Sequence, residues 1–210
     1  MAKYLWSNLT PWIKKDVKFV SEVNVVFEDS PFVGIHVRRG DKLRQEASPH
    51  DSEEYLSTAA DYLESAADAC SAADVKGIWL ASDDPAVLDE VRAIAPTYFP
   101  NVNNDTIAWV SYGVPGGPKV NNVMTRTEKQ TYAALVYMFA DLQQLAAADV
   151  FVGTFSSNVG RLVVLLRESI THRPRDSAIS VEGQQWTPGR RRVDVNASYS
   201  GGSVGWSHRR

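Results

Sequence analysis

The chain of 210 residues holds one cysteine, Cys70, so it can form no internal disulfide and no cysteine-based zinc cluster. It has no long apolar run. The strongest, near Leu162 to Leu166, is far too short for a membrane span. The first residues, Met1 to Trp6, lack the apolar stretch of a signal peptide. An excess of charge of one sign is lacking as well. A net charge of −3 gives no reason to expect a nucleic acid or another polyanion as partner. No Gly-rich loop ends in Lys-Ser/Thr, and no GxGxxG follows a strand, which disfavours the common nucleoside triphosphate and dinucleotide sites. Sequons stand at Asn8, Asn104 and Asn196, a number that chance alone supplies.

What is present is an ordinary apolar share, 44%, enough for a core in one large domain or a domain with a tail. Around it the chain alternates. Residues 1–31 read as a helical lead-in, with a helix over Pro11 to Val26 and Pro11 in its first turn. Phe32 to Val37 reads as a buried strand. Asp51-Ser-Glu-Glu54 fits a capping box opening a helix to about Ala72, with Tyr55, Ala59, Tyr62, Leu63 and Ala66 on one side. Gly77 to Ala81 is the second strand. Asp84 as N-cap and Pro85 as first residue open a helix to about Ile94. Ile107 to Ser111 is the third strand, and the Gly/Pro-rich segment from Gly113 to Lys119 is a surface loop.

Thr127 and Gln130 form another capping box, opening a helix to Ala147. Its Tyr132, Leu135, Phe139, Leu142 and Leu145 recur at helical spacing and should face the core. Val150 to Gly153 is the fourth strand, and Asn158 to Ile170 the last helix. Residues 173–210 read as irregular or disordered, with one edge strand near Ile179. The alternation predicts an α/β fold over 32–172: a Rossmann-like parallel sheet with helices on both faces.

Ligands of such sheets bind beyond the carboxyl ends of the strands. Three clusters fall there: Arg38, Arg39 and Asp41; Asp83 and Asp84; Ser156 and Ser157. Paired guanidiniums fork onto phosphate oxygens. Ser156, Ser157 and Asn158 lie at a helix start, where free N–H groups and the two serine hydroxyls favour an anion; taken alone, simple N-capping is the plainer reading, and the arginine pair on the same rim favours the anion. Asp83 and Asp84 could bind magnesium, act as acid or base, or support structure. Asp84 reads first as an N-cap, and Asp83 as a partner that orients an arginine. His36 reads as a core residue of its strand. Asp141, near the apolar stripe of the long helix, needs a partner if buried. Glu46 and Lys42 read as a solvated loop pair.

His36-Val-Arg-Arg-Gly-Asp-Lys42, Ser82-Asp-Asp-Pro85 and Asp149-Val-Phe-Val-Gly-Thr-Phe-Ser-Ser-Asn-Val-Gly-Arg161 resemble the three motif regions of the α1,6-fucosyltransferases. These are the eukaryotic core fucosyltransferases of N-glycans and their rhizobial nodulation relatives. Pro11-Trp12 and Glu53-Glu-Tyr55 are similar too, and the resemblance covers roughly residues 10 to 170. It implies the donor-binding half of a GT-B-like fold that transfers L-fucose from GDP-fucose with inversion and no required metal or other cofactor. The acceptor it implies is a glycan or glycoprotein, and the compartment the Golgi lumen. By the same resemblance Arg38 and Ser157 hold the diphosphate, with Arg39 and Ser156 beside them. His36 and Asp141 recognise the guanosine, Asp83 and Asp84 match an essential acidic pair, and Glu46 with Lys42 matches the proposed base. The segment from Val114 to Arg126 departs from the family pattern, and the N-terminal half of the family is absent from this chain. The alternatives are a protein O-fucosyltransferase relative, a fragment, or a GDP-sugar-binding module without catalysis.

Overall fold

The computed structural model describes residues 7–24, 27, 30–39, 57–111 and 127–182. Its elements are α1 (Pro11–Asn24), β1 (Phe32–Val37), α2 (Ala59–Asp68), β2 (Gly77–Ser82), α3 (Ala86–Tyr98), β3 (Ile107–Ser111), α4 (Glu128–Ala147), β4 (Val150–Gly153), α5 (Asn158–Leu166) and β5 (Ala178–Ser180). The five strands form one sheet in the order β3-β2-β1-β4-β5, and every pair is parallel. The expected Rossmann-like α/β architecture is the one observed.

The strands are short apolar runs because both their faces are covered. Alternation along each strand sorts the side chains into two cores. Val33, Ile35, Val37, Ile78 and Leu80 pack with α2 and α3 residues such as Leu63 and Val91. Trp79, Ala81, Ala108 and Phe151 pack on the other face with Leu142, Leu145 and Val163 of α4 and α5. α1 lies on α4 through Val17, Val136 and Ala140, so the lead-in shares the domain's packing. The sheet's last strand, β5, lies beyond residue 172, at the place where the sequence marks an edge strand.

Local signals set several ends. Thr127 caps α4 with Gln130 in the expected reciprocal box. α2 departs from expectation: it is opened by Thr58, boxed with Asp61, and ends at Asp68. The Asp51–Glu54 box lies outside the described residues. α3 starts one residue later than expected and runs four residues past Ile94, carrying Pro96 in its last turns. α4 departs from its expected face at one position. Leu135 is 36% exposed, while Leu142 and Leu145 are buried, Tyr132 and Phe139 pack against the cores, and Val136, Ala140, Asp141 and Ala146 are buried as well. The helix packs on the sheet and on α1 at once, so two directions are buried rather than one stripe.

One buried cation closes the far end of α4. Arg167, 1% exposed, follows α5 in a π-helical turn, Arg167–Thr171. Its Nη1 donates to the carbonyls of Leu145, Ala146 and Ala148, and its Nη2 to the carbonyl of Asp149 and to Ser177. The last carbonyls of a helix have no intrahelical partner and carry its negative end. A planar fork of donors satisfies several of them together. Burial, with Arg173 nearby, still pulls the guanidinium's pKa down to about 10.

Candidate functional site

The strand order reverses between β1 and β4, since β2 and β3 extend one way and β5 the other. At such a reversal the two following connections leave in opposite directions and open a crevice above the sheet's carboxyl edge. Arg38 and Arg39 follow β1 at this point, and Thr154 to Ser157 follow β4. Asp83 and Asp84 follow β2, one strand away. The described residues of the three expected clusters therefore share one rim. Burial raises the pKa of the Tyr62 hydroxyl; Glu182 and Asp83 raise it further and Arg39 opposes them.

Arg39 is held within the fold on two sides. Arg39 donates both guanidinium nitrogens to Glu90 of α3, at 2.6 and 2.8 Å. This pair raises the pKa of Arg39 and lowers that of Glu90. The backbone N–H of Arg39 donates to Asp83 Oδ1 at 2.9 Å. Asp83 thus holds the chain as it leaves β1, through the backbone N–H of Arg39. Arg38, half-buried, stands immediately past β1 at the reversal. Lys42 and Glu46 lie outside the described residues, as does Asp41.

The β2–α3 turn is closed by its own side chains. Ser82 Oγ accepts from the N–H of Asp84 at 3.1 Å, and Asp84 Oδ1 accepts from the N–H of Ala86 at 3.0 Å. The N-cap of α3 is Pro85 rather than the expected Asp84, and Asp84 fills the first helical N–H from one position further out.

The β4–α5 turn is different. Ser157 is the N-cap of α5 but makes no side-chain cap bond. Its hydroxyl is buried, 2% exposed, and has no hydrogen-bond partner among the described residues; the same holds for the Thr154 hydroxyl. An unfilled buried hydroxyl costs about 1–3 kcal/mol, so a group that takes its hydrogen bond is favoured there. The N-terminus of a nine-residue helix adds its dipole and its first-turn N–H groups. Gly160 makes the approach possible: a Cβ there would lie 2.3 Å from the Thr154 carbonyl oxygen. Arg161 Nε donates to the Phe155 carbonyl at 2.7 Å and braces the turn from within the helix. Ser156 is engaged by Glu182, which takes its N–H at 3.0 Å and its hydroxyl. Sequence reading missed Glu182 because it sits in a stretch with little periodicity.

His36 and Asp141 lie on the same side of the sheet. His36 alternates with the α2/α3-facing Ile35 and Val37, so it points to the α4 side. It is 3% exposed there, in register with Ala81. Asp141 of α4 is fully buried, and its Oδ1 accepts from the Trp79 indole N–H at 2.9 Å. The partner that a buried carboxylate needs is thus at least in part an indole.

A family model described as alpha-(1,6)-fucosyltransferase N- and catalytic domains matches residues 1–177. The chain belongs to this family. Among the relatives, an alpha-(1,6)-fucosyltransferase of Drosophila melanogaster is 31% identical over 142 residues, 68% of this chain and 20% of its own length. One of Caenorhabditis elegans is 28% identical over 145 residues, 69% of this chain and 23% of its own length. The chain thus spans about a fifth of these relatives' length. A crystal structure of NodZ alpha-1,6-fucosyltransferase soaked with GDP-fucose overlaps 76% of this chain and 43% of its own, at 20% identity and a TM-score of 0.46. Among the described residues, no helix is long and apolar enough to cross a membrane.

Proposed function

We propose that this chain is the donor-binding half of a GT-B-like, GDP-fucose-dependent fucosyltransferase, transferring L-fucose to a glycan hydroxyl. The observation that carries the reading is the unfilled Ser157 hydroxyl at the α5 N-terminus. It lies on the far side of the sheet's reversal from Arg38, in a chain of the alpha-(1,6)-fucosyltransferase family. A diphosphate fits that chemistry. Arg38 supplies a fork, and Ser157 with the helix N-terminus supplies donors and positive potential. The relatives' names point to an α1,6 linkage, and the acceptor we propose is the N-glycan core GlcNAc, in the Golgi lumen.

The reaction joins the acceptor oxygen to C1 of fucose and breaks the bond from C1 to the GDP oxygen. Charge grows on the leaving diphosphate as that bond breaks. Fixed donors aimed at it lower the barrier without reorganising, which is how Arg38 and Ser157 would serve an inverting, metal-independent transfer. Glu46, assisted by Lys42, would take the acceptor hydroxyl's proton on the opposite face of the sugar. His36 and Asp141 would read the guanosine; a carboxylate accepting the guanine N1–H and 2-amino protons would have to open from its indole contact to do so. Arg39 and Ser156, held by Glu90 and Glu182, would shape the seat beside the phosphates. Asp83 would fix the path of Arg38 and Arg39, and Asp84 would set α3 next to it.

The test is calorimetric titration with GDP and GDP-fucose, with GDP-mannose and UDP as controls and Arg38→Ala beside wild type. The reading predicts guanine-selective binding without added metal, lost in Arg38→Ala. A folded protein that binds none of them, or binds UDP equally, contradicts it. Fucose transfer to an N-glycan acceptor then tests the catalytic step. Binding without transfer would identify a donor-binding module.

A further inference from the structure

We propose that Glu182 is a positioning residue for the anion seat at the β4–α5 turn, an inference that rests on the donor-site reading. Two consecutive residues past β5 grip the end of β4 and the turn after it. The N–H of Val181 donates to the Gly153 carbonyl at 3.1 Å. The Glu182 carboxylate then takes the Ser156 N–H at 3.0 Å and the Ser156 hydroxyl through its other oxygen. A bidentate, charge-assisted contact fixes orientation as well as distance. It draws Ser156 toward β5, while the next residue keeps its hydroxyl buried and without a partner among the described residues. The N–H of Ser157 donates to the Thr154 carbonyl at 3.3 Å, which completes the turn. Glu182 therefore acts through Ser156 on where Ser157 and the α5 N-terminus point.

Placing a carboxylate beside a phosphate seat costs Coulomb energy, and simple electrostatics says that its removal should tighten anion binding. Glu182 is exposed, so solvent screens that repulsion. The hold on the turn is the larger effect, and the two views predict opposite signs.

The experiment titrates GDP into wild type, Glu182→Ala, Glu182→Gln, Ser156→Ala and the double variant Glu182→Ala/Ser156→Ala. It also follows amide hydrogen exchange over residues 154–161 without ligand. Glu182→Ala and Ser156→Ala should each weaken GDP about tenfold, the scale of a lost charge-assisted contact. The double variant should be no weaker than either single one, because both cut the same link. Glu182→Gln, which keeps the size and one acceptor, should lose less. Exchange at 154–161 should speed up in the alanine variants and stay unchanged in β1 and β2. GDP binding as tight as wild type or tighter in Glu182→Ala would overturn the proposal. If wild type binds no GDP, the donor reading falls. Exchange then decides alone: unaltered exchange at 154–161 in Glu182→Ala overturns the hold on the turn, and faster exchange supports it.

Discussion

Two turns leave the same edge of the sheet, both rich in Ser and Asp or Asn, and both lead into a helix. After β2, Ser82 and Asp84 satisfy the turn's own N–H groups, and Asp83 reaches across to the N–H of Arg39. After β4, Ser157 caps nothing, and its buried hydroxyl and that of Thr154 have no partner among the described residues. Composition does not separate them; the state of their hydrogen bonds does. A turn whose polar groups are filled from within supports structure. One whose buried donors stay open at a helix N-terminus, beside a strand reversal, is arranged for a ligand.

The contrast can be tested from both sides. The largest expected effect is on the support behind the open turn. Arg167→Leu removes the donors that hold the carbonyls between α4 and β4. It should cost about 3 kcal/mol or more, since several buried acceptors lose their partner, and chemical denaturation measures it. Gly160→Ala drives a Cβ to within 2.3 Å of the Thr154 carbonyl oxygen. Overpacking of this kind costs about 1–3 kcal/mol, and the same displacement of the turn should weaken GDP in a titration.

Paired alanine variants sharpen the comparison further. Asp84→Ala should lower stability by about 1 kcal/mol, the usual worth of a lost side-chain bond to a helix's first N–H groups. Ser157→Ala should leave stability unchanged or raise it by about 1 kcal/mol, because its buried hydroxyl makes no bond to lose, yet weaken GDP several-fold. Equal destabilisation by both variants would erase the distinction. The smallest effect belongs to Glu90→Gln. The Arg39 contact lowers the Glu90 pKa. Its stabilisation is therefore present above the ordinary Glu pKa and is lost as pH falls through the lowered value. The Glu90 side chain is 42% exposed, so solvent screening holds the gain below about 1 kcal/mol. The measurement is the midpoint of denaturation from pH 7 downward, where wild type and variant should converge as Glu90 becomes protonated.

The sequence made the strands and the capping of α4 legible because those signals are local: apolar runs of strand length, and Thr127 three residues before Gln130. The start of α2 at Thr58 was not foreseen, because Asp51–Glu54 offers the same spacing as Thr58 and Asp61 a few residues earlier. Leu135 was expected in the core because it fits the helical stripe. Only the tertiary arrangement, α4 wedged between sheet and α1, leaves Leu135 outside and brings Val136 and Ala140 in. The rim clusters were readable, since residues that follow strands in an α/β alternation must share an edge. The assignment of Arg39 to Glu90 was not, because 51 residues separate them. Arg167 left a faint signal, a lone cation after the apolar run Leu162 to Leu166. Its partners are carbonyls that no side-chain pattern marks.

The most direct measurement is amide hydrogen exchange with and without saturating GDP. The account predicts slower exchange over residues 154–161 on adding GDP and no change over residues 83–88. Slowing at 83–88 with none at 154–161, or none at either turn while GDP is bound, would contradict it.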